Sequence, residues 1–149
     1  TAYEIKECDW SSDVCSSDLY VNSTGGDLNQ AFALIDAMRI SPHPIKTIAI
    51  GNVMSAAFLI FASGAKGLRY VTKNTSAMCH QFNDAAEGKY HDMQAAMRES
   101  EMCNQRMVNI LKDATGLPIN KVKSKLLPPS DVYFSATELL DLNIADHVL

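Results

Sequence analysis

A serine, a histidine 25 residues further on, a glycine pair upstream and a late aspartate are the residues of this chain best suited to act on an acyl carbon. Ser55 sits in the apolar run Ile48-Ala-Ile-Gly51-Asn-Val-Met-Ser55-Ala-Ala-Phe58-Leu, and His80 in Ser76-Ala-Met-Cys-His80-Gln81. Gly25-Gly26 follows a short apolar segment. Acyl transfer needs a hydroxyl nucleophile, an imidazole base and backbone N–H donors for an oxyanion, and these pieces could supply all three. Each has a plainer reading when taken alone: a small packing serine, a structural histidine, a tight turn, and in Asp131 the cap of a turn. Met54 and Ala56 flank the serine, so the Gly-x-Ser-x-Gly elbow is absent.

The elements expected to carry these residues alternate between strand and helix. Tyr20-Val21 reads as a strand stub and Asn22–Gly26 as the turn after it. Asp27 is placed to cap a helix to about Arg39, with Ala31, Leu34, Ile35 and Met38 at helical spacing. Ser41-Pro-His-Pro44 ends that helix. Thr47–Ile50 predicts a strand, Gly51-Asn52 a turn, and Ser55 to Gly64 a helix. Arg69–Thr72 and Ser76–Cys79 read as further strands. A long helix is expected from about His91 to Ala114, and another from Pro118 to about Leu126. Pro128-Pro129 interrupts, and Ser135 with Glu138 forms a capping-box pattern for a last helix. Strands alternating with helices predict an α/β layer structure. Ile48–Ala65 holds 18 uncharged residues, near the lower limit for a membrane span. Gly51, Asn52, Ser55 and Ser63 interrupt it, so a buried strand, turn and helix is the expectation instead.

The first nineteen of the 149 residues are expected to be foreign to the fold. Thr1–Glu4 and Asp9–Leu19 back-translate onto the ends of a common short-read sequencing adapter, with a variable index between them. Residues 1–19 are therefore read as adapter-derived, and residues 20–149 as one domain and a fragment of a longer protein. The leading segment holds five acids (Glu4, Glu7, Asp9, Asp13, Asp18) and one base, Lys6. Without it the formal charge of −4 becomes a balance of twelve acids and twelve bases, which offers nucleic acid no basic surface. Cys8, Cys15 and Trp10 leave with it. Cys79 and Cys103 remain, too few for a disulfide framework, so a reducing compartment is expected. Cys79, His80, His91 and Cys103 lack paired ligand spacing, and no metal is expected.

Tyr20–Leu149 resembles the proteolytic subunit of the caseinolytic (Clp) serine protease, within the crotonase-like superfamily. The resemblance is carried by Asn22-Ser-Thr-Gly-Gly26, by Ser55 with Ala57-Phe58-Leu59 and Gly64-Ala-Lys-Gly67, by Met78-Cys79-His80-Gln81, and by Asp131 four residues before Ser135-Ala136. It implies a crotonase/Clp-protease-like α/β fold of repeated strand–helix units, truncated at its N-terminus. It also implies an ATP-dependent serine endopeptidase in which Ser55 is the nucleophile, His80 the general base and Asp131 the group that orients the imidazole. The N–H groups of Gly26 and Ala56 would form the oxyanion hole. Gly26, Asp27 and Leu28 on one side, and Phe82, Asn83 and Asp84 on the other, would flank an extended substrate. No cofactor is implied. Unfolded proteins or peptides are the implied substrates and an AAA+ unfoldase ATPase the implied partner. The implied assembly is a heptameric ring stacked as a tetradecamer, in the cytoplasm of a bacterium or encoded by its phage, with no nucleic-acid or membrane partner.

Several positions depart from the family pattern. Thr24 stands for a proline in the glycine turn, and Phe82 for the proline after His-Gln. Asn83-Asp-Ala-Ala-Glu87 replaces a glycine-rich segment, Ser130 an arginine, and two extra residues with Pro128-Pro129 precede Asp131. These departures motivate a second expectation, a non-catalytic ring component that assembles with an active paralogue. A phage capsid-maturation protease is a further alternative, and a crotonase-like acyl-thioester enzyme a more distant one. Met93, Met97, Cys103 and Met107 on the long helix read as a core-facing stripe, or as the inter-ring contact that the resemblance implies.

Overall fold

The computed structural model describes residues 17–149. Thr1–Ser16, the larger part of the expected foreign segment, lie outside the described residues. The elements in order are β1 (Ser17–Ser23), α1 (Leu28–Ile40), β2 (Ile45–Met54), α2 (Ala56–Ala62), β3 (Arg69–Val71), β4 (Ser76–Cys79), α3 (Tyr90–Thr115), α4 (Ile119–Lys125), β5 (Val132–Phe134), α5 (Ala136–Asp141) and β6 (His147–Val148). They build the expected α/β architecture around one six-stranded sheet, ordered β5-β4-β2-β3-β6, with β1 on the free edge of β2.

β2 organises the sheet. It runs parallel to β1 along one edge; on the other it pairs with β3 through Thr47–Ala49 and with β4 through Asn52–Met54. The strand expected at Tyr20 begins instead at Ser17. Backbone pairing is indifferent to side chains, and Ser17–Leu19 find the ladder partners Ile45, Lys46 and Thr47. Lys46 Nζ also lies 3.2 Å from the Asp18 carboxylate.

The turn expected at Gly51-Asn52 is a bulge inside β2. Val21 pairs with Ala49, but Ser23 pairs with Val53, so three residues of β2 stand against Asn22 alone. Gly51 takes φ +62°, and a Cβ there would meet Asn22 Oδ1 at 2.8 Å. The same oxygen accepts the Asn52 N–H at 3.1 Å. The glycine therefore marks a close backbone approach within a strand.

Local sequence explains the helix ends. Asp27 Oδ1 accepts the Gln30 N–H at 2.9 Å, capping α1. Ser135 and Glu138 form the expected capping box of α5. Gly116, at φ +74°, closes α3 with its N–H on the Lys112 carbonyl. Within α3 the methionine stripe divides. Cys103 and Met107 are buried at 7% and 2% exposure, whereas Met93 and Met97 stand 41% and 75% exposed. A stripe that faces the core along its whole length is thus corrected: only its C-terminal half does so, where Cys103 and Met107 join the core cluster with Val108, Ile110 and Leu111.

α2 is the centre of the core. Phe58 and Phe61 are wholly buried, and the helix touches β1, β2, β4, α1 and α3. Ile48–Ala65 thus folds as strand and short helix. No helix among the described residues is long and apolar enough to cross a membrane.

A buried ion pair ties the far edge of the sheet together. Arg69, 3% exposed, donates from Nε and Nη2 to Asp146 at 2.9 and 2.6 Å, and from Nη1 to the Ala114 carbonyl at 3.0 Å. Burial pushes the Asp146 pKa up, but hydrogen bonds and charge from Arg69, with the Gly67 N–H, more than reverse this and hold it below the usual aspartate value. A carboxyl depressed in the folded state stabilises the fold above its unfolded pKa, and that stability is lost as pH falls through the folded pKa. Urea midpoints measured between neutral pH and pH of about 3 are expected to fall on the acid side. Asp146→Asn should lower the neutral-pH midpoint and flatten that acid limb.

Candidate active site

Two register relations bring the chemistry together. β2 and β4 run parallel with Met54 beside Met78, and the Ser55 N–H extends the ladder to the Met78 carbonyl at 2.9 Å. Ser55 and His80 therefore leave adjacent strands at the same carboxyl edge of the sheet. β5 runs antiparallel to β4 with Cys79 opposite Val132. One more step along both strands sets His80 opposite Asp131. Strand β5 was missing from the sequence expectation, and its register, rather than the length of the loop through Pro128-Pro129, positions the acid. Gln81 Nε2 donates to the Leu127 carbonyl at 2.9 Å and braces that loop.

The side chains complete the line. His80 Nε2 lies 2.8 Å from Ser55 Oγ, and His80 Nδ1 lies 3.2 Å from Asp131 Oδ1. His80 is 22% exposed and Asp131 53% exposed, so the line opens to solvent at its acid end. Ser55 has φ +55° and ψ −123°, a sparsely populated conformation for a residue with a side chain. Such strain costs about 1–3 kcal/mol and persists where surrounding packing imposes it. Here the Met78 carbonyl holds the backbone on one side and buried α2 begins on the other. The strand-to-helix turn thus resembles a nucleophile elbow without its two glycines.

Gly25 supplies the space those glycines would leave. Its φ is +102°, and a Cβ would meet Ser55 Cβ at 2.7 Å and the Met54 carbonyl oxygen at 2.8 Å. The paired glycines signalled a turn, but the packing of Gly25 against Ser55 was not legible in their spacing. Gly26 beside it faces open space. Among the described residues, neither the Gly26 N–H nor the Ala56 N–H has a protein acceptor.

The family model for Clp protease matches residues 11–149. The chain belongs to the Clp protease family. It is also 32% identical over 130 residues to ATP-dependent Clp protease proteolytic subunit 1 of Leifsonia xyli subsp. xyli (strain CTCB07), an alignment covering 87% of this chain. The chain spans 65% of the length of that relative.

In this member of the Clp protease family a groove of about 410 Å³ runs past Ser55 and His80. Ser55, His80 and all six expected flanking residues line it: Gly26, Asp27 and Leu28 on one side, Phe82, Asn83 and Asp84 on the other. Ala56 does not; with Gly25 and Gly26 it lines an adjoining pocket of about 250 Å³. Glu99, Ser100 and Cys103 of α3 form further groove wall that the sequence did not announce. Ser100 Oγ donates to Asp84 and pins the 82–84 flank to the helix. Burial raises the Cys103 thiol pKa, with Glu99 adding to the effect, and pushes Cys79 up to about 12. Both stay protonated thiols at neutral pH, which disfavours either as a nucleophile.

Gly25→Ala should displace Ser55 from His80. The expected result is a fall of about a hundredfold or more in the rate at which a fluorophosphonate labels Ser55, as an ångström of misplacement commonly costs. Circular dichroism is expected to show retained secondary structure.

Proposed function

We propose that this chain is a serine endopeptidase subunit of the Clp type that cleaves peptide bonds through an acyl-enzyme at Ser55. The observation that carries the reading is the continuous line from Ser55 Oγ through both nitrogens of His80 to Asp131, at 2.8 and 3.2 Å. Ser55 Oγ attacks the scissile carbonyl while His80 Nε2 takes its proton. The carbonyl oxygen becomes an oxyanion received by the N–H groups of Gly26 and Ala56. His80 then returns the proton to the leaving amine as the C–N bond breaks, which leaves an ester on Ser55. Water, deprotonated by the same nitrogen, hydrolyses that ester and frees the serine. Asp131 accepts from Nδ1–H, keeps the imidazole in the productive tautomer and stabilises the imidazolium.

An extended peptide lying between residues 26–28 and 82–84 would present its carbonyl to Ser55, with main-chain pairing that reads little sequence. Family membership supports unfolded polypeptide as substrate, delivery by an AAA+ ATPase, a stacked heptameric assembly and a cytoplasmic setting. The triad contacts favour the catalytic reading over a non-catalytic ring component: they are made despite Thr24, Phe82 and Pro128-Pro129.

A fluorophosphonate probe is expected to label the protein covalently, and Ser55→Ala to abolish the adduct. Mass spectrometry that places the adduct elsewhere, or finds none on assembled protein, would overturn the assignment. Asp131→Asn should retain binding but lower kcat by up to about 10⁴, the loss typical when a triad imidazole is left in the wrong tautomer.

A further inference from the structure

The charged side chains along the groove are all of one sign. Asp27 stands on the Gly26 side, Asp84 on the Phe82 side, and Glu99 reaches in from α3. No lysine or arginine is among the lining residues. This is a local property, since acids and bases balance over residues 20–149. The carboxylates do not define the site, which the Ser55–His80 pair does by lying in the same groove; they set its charge.

Their hydrogen bonds leave that charge largely in place. Asp27 accepts from the Gln30 N–H, and Asp84 from the Ala85 N–H and Ser100 Oγ, all neutral donors. Glu99 accepts from Cys103 Sγ at 3.5 Å and pairs with Arg106 at 3.4 Å. That pair is about half exposed on both sides, and the Arg106 guanidinium lies over the Phe32 ring at 5.9 Å, outside the groove lining. Same-sign charges along a cleft with protein walls focus the local potential and concentrate ligands of opposite sign.

We infer that Asp27, Asp84 and Glu99 make this groove selective for peptide segments carrying lysine or arginine near the bond to be cut. The inference rests on the groove being the peptide site proposed above. Main-chain pairing supplies sequence-independent affinity, and the three carboxylates add a preference for cationic side chains on either flank.

The test uses two fluorescein-labelled decapeptides, identical except that lysines in one are glutamines in the other, with anisotropy measured on Ser55→Ala protein so that no turnover intervenes. The lysine peptide is expected to bind about tenfold more tightly at low salt, the sum of several weak exposed charge contacts. The gap should narrow at about 0.5 M salt, where the Debye length has fallen to about 4 Å. In the combined variant Asp27→Asn, Asp84→Asn, Glu99→Gln the two peptides are expected to bind alike. Asparagine at 27 still caps α1 and asparagine at 84 still accepts from Ser100, so the walls stay in place. Equal binding of both peptides to the Ser55→Ala protein overturns the inference, as does a lysine preference that survives in the combined variant. Fluorophosphonate labelling of the parent protein reads the nucleophile independently. Labelling without a lysine preference sinks the charge selectivity alone, and a lysine preference without labelling sinks the assignment of Ser55 alone.

Discussion

The site depends on strand β4 being shared. Its parallel face against β2 puts Met78 beside Met54, and its antiparallel face against β5 puts Cys79 opposite Val132. These two ladders bring residues 55, 80 and 131 to one edge of the sheet, although 51 residues separate the histidine from the aspartate. Side chains alternate faces with a period of two, so a slip of one residue in either register would turn Ser55, His80 or Asp131 to the opposite face. Burial opposes such a slip: Ala77, Met78 and Cys79 are all buried, as is Phe134 across the ladder. The apolar core beneath the sheet thus holds the polar line at its edge.

A second layer of the design is strain placed where the core can bear it. Ser55 occupies an unfavourable backbone conformation at the mouth of a seven-residue helix, six of whose residues are buried. Burying a phenylalanine side chain contributes about 1.5–3 kcal/mol, so Phe58 and Phe61 can together offset a strained residue of about 1–3 kcal/mol. The cost on the other side of the turn is met by omission. Gly25 has no Cβ, and Gly51 leaves room for the Asn22 side chain, which is bonded to the Asn52 N–H. Asn22 thereby ties the start of the glycine turn to the bulge in β2 just before Ser55.

α3 shows how one element serves two environments. Its C-terminal half packs into the core through Met107, Val108 and Leu111, while Glu99, Ser100 and Cys103 form a wall of the groove. Further toward its N-terminus, Tyr90, Met93 and Met97 are exposed. A single hydrophobic period runs through all three zones, because periodicity records which face is apolar and not what lies opposite it.

Residue types and local signals determined much of this protein in advance. Asp27 and the Ser135/Glu138 box set helix starts, Gly116 and Pro42 mark helix ends, and Ser55, His80, Asp131 and Gly26 were nameable as chemical parts from their types, their spacing and the resemblance those carry. Tertiary structure alone decided the rest: that Gly51-Asn52 is a bulge and not a turn, that β1 reaches back to Ser17, that a strand precedes Ser135, that Gly25 packs on Ser55, and that α3 walls the groove. The reason is physical. Caps and turns are satisfied by atoms a few residues away, whereas a ladder, a bulge or a groove wall is satisfied only by backbone and side chains that folding brings from elsewhere in the chain.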